Sequence, residues 1–235
     1  MTTNFASYSA SSFRAHSANV LVMGDSFVGR LESSLMYNYT RSPASQVMSI
    51  NEYARDALKC YYEVNRVYFD SCPGAGLTTA KKYTLPEDLI SMQRPKYAIL
   101  EIGGNDLDSE TDLQEILSTK IALADQLINN HDLISVAFCS VLPRDVARHI
   151  SPALFRHRAE QFNIMSESQT KALKHIYFHR HKGFWRDANL NPVDTSLWST
   201  DGIHPNTQAG MDKYRASITK CIHRMIKTAN NLDKQ

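Results

Sequence analysis

Short apolar runs alternate along this chain with longer segments in which apolar residues recur every three or four positions. The first run, Val20–Met23, closes on Gly24-Asp25-Ser26. Its length, its valines and the glycine turn that follows mark it as a buried strand. Phe27–Tyr39 carries Val28, Leu31, Leu35 and Met36 at helical spacing, which predicts a helix packed back on that strand. Arg66–Phe69, Tyr97–Ile102, Leu133–Leu142 and Ile176–Phe178 read as further strands. Helices are predicted over Asn51–Cys60, Tyr83–Met92, Asp112–Asn130, Pro152–Leu173 and Thr207–Thr228. Strands that alternate with helices predict a parallel sheet covered on both faces, because right-handed crossovers place the helices there.

Nothing along the chain resembles a repeat or an interdomain linker. A single domain is therefore expected over residues 19–230, behind a flexible arm, residues 1–18, that is rich in Ser, Thr and Ala and contains no acid. The arm lacks the apolar centre of a signal peptide and the arginines of a transit peptide. A length of 235 residues with 43% hydrophobic and 21% charged residues describes an ordinary globular α/β protein. With 26 basic and 24 acidic residues there is no field that calls for nucleic acid. No apolar stretch approaches the roughly 20 residues that span a bilayer. Cys60, Cys72, Cys139 and Cys221 are scattered without a C-x-x-C pair, so they read as buried thiols in a reducing, cytoplasmic setting.

The loops at the strand ends carry the chemistry. Ser26 stands where a strand gives way to a helix, at the sheet edge where open α/β proteins bind ligands, with helix N–H groups and the positive end of the dipole beside it. A serine hydroxyl needs a neighbouring base to act as a nucleophile. Asp201 and His204, three apart before the last helix, can supply base and orienting acid. Pro205 biases His204 away from helical geometry and Asn206 is a candidate N-cap. Gly76 can bring its N–H close to a substrate oxygen, and Asn105, after two glycines, can aim its amide at the same point. The N–H groups of Ser26 and Gly76 and the Asn105 amide would then form an oxyanion hole.

Gly24-Asp25-Ser26, Gly76 with Leu77-Thr78-Thr79, Gly104-Asn105-Asp106 and Asp201-x-x-His204 resemble, in order, the four blocks of the SGNH (GDSL) hydrolases. Gly74 competes with Gly76 for the second block; the Thr-Thr that follows favours Gly76. The resemblance implies a flavodoxin-like three-layer α/β/α fold with about five parallel strands in the order 2-1-3-4-5. It also implies hydrolysis of small carboxylic esters through an acyl-serine intermediate, without metal or cofactor. The alternative is a binding or scaffolding module that keeps the fold without useful turnover. Leu142-Pro143-Arg144 and the Asp201–Asn206 stretch are similar to esterase-like domains carried by animal non-LTR retroelements.

Other residues have plainer readings. Asp25 and Asp106 read as turn formers. His175, His179 and His181 have no Cys, Asp or Glu close by in sequence, so no metal site is expected. Phe184, Trp185 and Trp198 could line an acyl pocket or pack in the core, and Arg144 could meet an anionic group or sit in a surface ion pair. No phosphate-binding glycine motif is present. Between the blocks there is no helical insertion to form a lid, which suits short acyl esters.

Overall fold

The structure is a computed structural model that describes residues 18–60, 64–184 and 195–232. The flexible arm expected over residues 1–18 lies outside the described residues except for Ala18, as does Trp185. The strands are β1 (Ala18–Gly24), β2 (Val64–Ser71), β3 (Tyr97–Glu101), β4 (Ser135–Cys139) and β5 (Ile176–His179), all parallel, in the order β2-β1-β3-β4-β5. Between and after them run α1 (Ser26–Thr40), α2 (Ile50–Ala57), α3 (Glu87–Gln93), α4 (Leu113–His131), α5 (Pro152–Thr170) and α6 (Ala209–Leu232).

Strand alternation divides the core in two. Val20 and Val22 of β1, Ile99 of β3 and Ala137 of β4 face a cluster shared with Leu31 and Leu35 of α1 and with Tyr214, Ile218 and Ile222 of α6. Leu21, Met23, Leu100 and Phe138 face the opposite way, onto Ile116 and Leu127 of α4 and Phe155 and Phe162 of α5. A strand covered on both faces gains burial from every residue, which is why β1, β3 and β4 are continuous apolar runs instead of alternating ones.

Among the element boundaries that differ from the expectation, two have a specific physical reason. Tyr83 does not open a helix: its N–H donates to the Gly76 carbonyl at 2.7 Å and its hydroxyl bonds Asp70. The helix starts only after Pro86, in keeping with the bias against helical geometry ahead of a proline. Leu133–Leu142 is paired as a strand only over Ser135–Cys139, because Val141 exchanges both backbone bonds with the Asn163 side chain instead (2.8 and 3.0 Å).

Beneath the carboxyl edge of the sheet lies a buried polar chain that sequence spacing did not reveal. Glu101, at the end of β3, meets His181 Nε2 at 2.8 Å; His181 Nδ1 meets Ser217 Oγ at 2.8 Å, and Ser217 Oγ meets His179 Nε2 at 2.9 Å. Burial alone would lower the His181 pKa, but the Glu101 carboxylate overcomes it and holds the imidazole raised, at about 10. Burial and the neighbouring His181 cation push His179 down to about 3. The proton directions follow: His181 donates to Glu101 and to Ser217, and Ser217 donates to neutral His179. Cys139 brings a third metal-type donor within 4.8 Å of Glu101 and His181, yet both His181 nitrogens are occupied by hydrogen bonds.

Because His181 binds its proton more tightly in the folded state, its stabilising contribution is complete below the ordinary value of 6.5 and is lost as pH climbs through about 10. Glu101→Gln should lower unfolding free energy at neutral pH by about 3 kcal/mol. It should also remove that share of the alkaline decline. Urea denaturation of both proteins across pH checks this, and parallel pH profiles would count against the pair.

Candidate active site

The site gathers at the point where strand order reverses. β1 is flanked by β2 and β3, so the loops after β1 and β3 diverge and leave a crevice at the carboxyl edge. Gly24 allows these two strand ends to close up: a Cβ there would stand 2.1 Å from the Glu101 carbonyl oxygen. Asp25 caps α1 by accepting the Phe27 N–H at 3.1 Å, which fixes Ser26 as the first helical residue. Burial raises the Asp25 carboxyl to about 6 against the opposing pull of Arg144 and that N–H.

Ser26 Oγ lies 2.6 Å from His204 Nε2, and His204 Nδ1 lies 2.9 Å from Asp201 Oδ2. Asp201 Oδ1 accepts the N–H groups of Ile203 (2.9 Å) and His204 (3.0 Å) and the Ser199 hydroxyl (2.5 Å). The Asx turn and the imidazole-orienting role thus belong to one carboxylate, each using its own oxygen. Partial burial raises the Asp201 pKa, but this set of hydrogen bonds outweighs it and holds the carboxyl far below its ordinary value. The loop itself is pinned: Ser199 N–H donates to the His204 carbonyl (2.8 Å), and Asn206 Oδ1 accepts from Gln208 and Gly210 as the helix begins, the capping expected of it. Gly202, at φ +64°, accepts the Asp145 N–H at 2.8 Å, which ties the His204 loop to the segment after β4.

Arg30, which the sequence reading did not single out, and Arg144 complete this corner. Arg30 donates to Asp201 Oδ2 at 2.8 Å. It sits one helical turn after Ser26 on the same face, a spacing that could have found it. Arg144, expected at the surface or against a substrate, is buried; its guanidinium lies 4.9 Å from the Phe155 ring centre and meets Asn105 Oδ1 at 3.4 and 3.5 Å. With Oδ1 facing a cation, the Asn105 NH₂ must face the other way, where it donates to the Ala75 carbonyl at 2.8 Å and has Asp25 Oδ2 at 3.4 Å. One N–H is therefore held by Ala75, and the second has only a long contact.

Gly76 requires a correction. Its N–H donates to the Lys81 carbonyl at 3.0 Å, so it does not point into the crevice as an oxyanion donor would. Its lack of a side chain serves Asp106 instead: a Cβ at Gly76 would stand 2.8 Å from both Asp106 oxygens. Those oxygens accept the Leu77 N–H (2.9 Å) and the Thr78 N–H and hydroxyl (2.6 and 2.8 Å). Asp106 is a clamp between two loops, not the local turn former expected. The competing glycine, Gly74, is exposed at φ +79° on the same depression as Asn105, and its N–H has no partner among the described residues. Phe184 and Trp198 are buried and pack edge to face at 5.9 Å, which makes them core residues.

Burial lowers the His204 pKa, and Arg30 adds to this against the opposing pull of Asp201, so the imidazole is neutral at pH 7 and its proton-accepting nitrogen faces Ser26. The His204 NMR titration midpoint should fall below 6.5. Arg30→Met removes a cation and frees Asp201 to act on the imidazole alone, so the midpoint should rise; an unchanged or lower one would remove Arg30 from this balance.

With this geometry in place the chain can be compared with known proteins. The GDSL-like lipase/acylhydrolase family matches residues 22–210, and the chain belongs to that family. No curated protein matches the sequence. Among solved structures, a GDSL-like lipase from Bacteroides thetaiotaomicron superposes with a TM-score of 0.62 at 18% identity, covering 88% of each chain. An acetyl-xylooligosaccharide esterase from Geobacillus gives 0.57 at 14% identity, covering 86% of this chain and 93% of the other. At such identities the likeness establishes the fold, and family membership makes the protein an ester-bond hydrolase. No helix among the described residues is long and apolar enough to cross a membrane.

Proposed function

We propose that the protein is a serine esterase that hydrolyses small carboxylic esters through an acyl-Ser26 intermediate. The observation that carries this reading is the unbroken chain from Ser26 Oγ through His204 to Asp201, at 2.6 and 2.9 Å. In the first step His204 Nε2 takes the Ser26 proton as Oγ attacks the ester carbonyl carbon. Asp201 holds the imidazolium by its Nδ1–H without taking that proton. The developing oxyanion is stabilised by the N–H groups of Ser26 and Gly74 and by the Asn105 amide. Such donors act most strongly when held rigid before charge appears, and Arg144 holds Asn105 in that way. His204 then returns the proton to the departing alcohol. Water, deprotonated by the same nitrogen, attacks the acyl-serine, and the tetrahedral adduct collapses to release the acid as His204 gives that proton to the departing Ser26 Oγ.

Hydrolysis of short-chain p-nitrophenyl esters tests the proposal. Ser26→Ala should reduce kcat by about 10⁴–10⁶ while the circular dichroism spectrum stays unchanged. Retention of a tenth of the wild-type rate would exclude Ser26 as nucleophile. Below neutrality, kcat/KM should fall as His204 gains a proton, with the acid limb centred below 6.5 because its pKa is lowered.

Asn105→Ala separates the oxyanion donor from the triad by magnitude. Loss of one donor should cost about 10²–10³ in kcat with little change in KM. The Ala75 carbonyl also loses its partner, so some thermal stability should go as well. A lower melting temperature with kcat within a few-fold of wild type would leave Asn105 a purely structural role.

A further inference from the structure

Between the turn that begins at Gly74 and the loop after β4 lies a depression of about 390 Å³, within the range that holds small ligands. Gly74 and Asn105 form part of its wall, so it opens directly beside the corner where the ester carbonyl would sit. Its rim carries Lys81, Arg148 and His149, all exposed. The Arg148 guanidinium has no hydrogen bond or ion pair among the described residues. Lys81 Nζ makes one bond, to the Pro73 carbonyl at 2.6 Å, and keeps two donors.

The two buried acids beside the depression are engaged by backbone donors. Asp108, the carboxylate in the lining, is buried, and its oxygens accept the backbone N–H groups of Arg148 at 2.9 and 3.0 Å and of His149 at 3.1 Å. Asp106, close beneath, is engaged by Leu77 and Thr78. An ordinary solvated surface intersperses both signs of charge. Glu110 and Asp112, exposed on either side of Thr111, are not in the lining; the carboxylate that is, Asp108, is satisfied by backbone donors while the cationic heads are left outward. Because the Arg148 and His149 N–H groups are held by Asp108, their side chains project from an anchored stretch of backbone.

We propose that this depression is an anion subsite: the ester turned over here bears a carboxylate or phosphate a few atoms from its carbonyl, and Arg148 and Lys81 receive it. The assignment rests on the esterase reading and narrows it to a substrate class. A guanidinium presents paired donors that match the two oxygens of a carboxylate, and Lys81 adds a second point charge.

The test compares charged and neutral esters of matched shape. The mono-p-nitrophenyl ester of glutarate against p-nitrophenyl pentanoate places the anion on the acyl side. The pair meta-acetoxybenzoate and phenyl acetate places it on the alcohol side. One of the two pairs should favour the anion by about five- to tenfold in kcat/KM at low ionic strength. The preference should shrink toward parity in about 0.5 M salt, where such charges are screened. Arg148→Glu should invert the preferred pair, whereas Lys227→Ala, on the far part of α6, should leave it as in wild type. Parity in both pairs, or a preference unmoved by Arg148→Glu, overturns the subsite while neutral-ester turnover leaves the esterase reading standing. Failure to turn over any ester overturns the esterase reading, and the subsite with it.

Discussion

The contact on which the site depends is the approach of β1 to β3 at Gly24. The Glu101 carbonyl fills the space where a side chain at position 24 would begin, and it also accepts the Asp25 N–H at 3.3 Å. On the other side, the Gly24 carbonyl accepts the Cys72 N–H at 2.9 Å. Three strand ends are drawn together in this way, and the loops leaving them carry Ser26, the Gly74 turn and Asn105. The Glu101 side chain continues the same constraint downward. Its carboxylate anchors His181, and through Ser217 it reaches α6, the helix whose start holds the His204 loop. A single residue thus links the backbone beside Ser26 to the element that holds the His204 loop.

The carboxylates around the site are held by backbone donors. Asp25, Asp106, Asp108 and Asp201 each accept at least one backbone N–H. This matters physically because a carboxylate bound to the chain cannot swing toward the substrate, and its charge is partly spent before a ligand arrives. Arg144 has the opposite arrangement: a buried cation, its pKa lowered by burial, held against Asp25, Asp108 and the Asn105 oxygen. The result is an Asn105 amide fixed between the Arg144 cation and the Ala75 carbonyl.

Much of this was legible in the sequence. The apolar runs of β1, β3 and β4 stand out because burial on both faces leaves no polar alternation to confuse them. Ser26 and the Asp201–His204 pair sit at loop positions that local pattern can mark, and the strand order implied by the family resemblance is the one observed. The unread parts are those set by pairing across the sheet. Glu101 and His181 lie 80 positions apart, and no local spacing connects them. Gly76 and Gly74 are both plausible close-approach glycines, and the backbone bond from Gly76 to Lys81 that sets Gly76 apart leaves no mark in local pattern. Arg144 looked like a surface charge because its burial depends on Phe155 and Asn105, which reach it from other elements.

The central claim is that His204 and Asp201 make Ser26 a nucleophile in the folded chain. Reaction of the native protein with a fluorophosphonate, followed by intact-mass and peptide analysis, tests it most directly. The account predicts one adduct per chain, located on Ser26, formed rapidly at neutral pH and greatly slowed in His204→Ala. A folded protein that stays unmodified, or that carries the adduct on another residue, would contradict it.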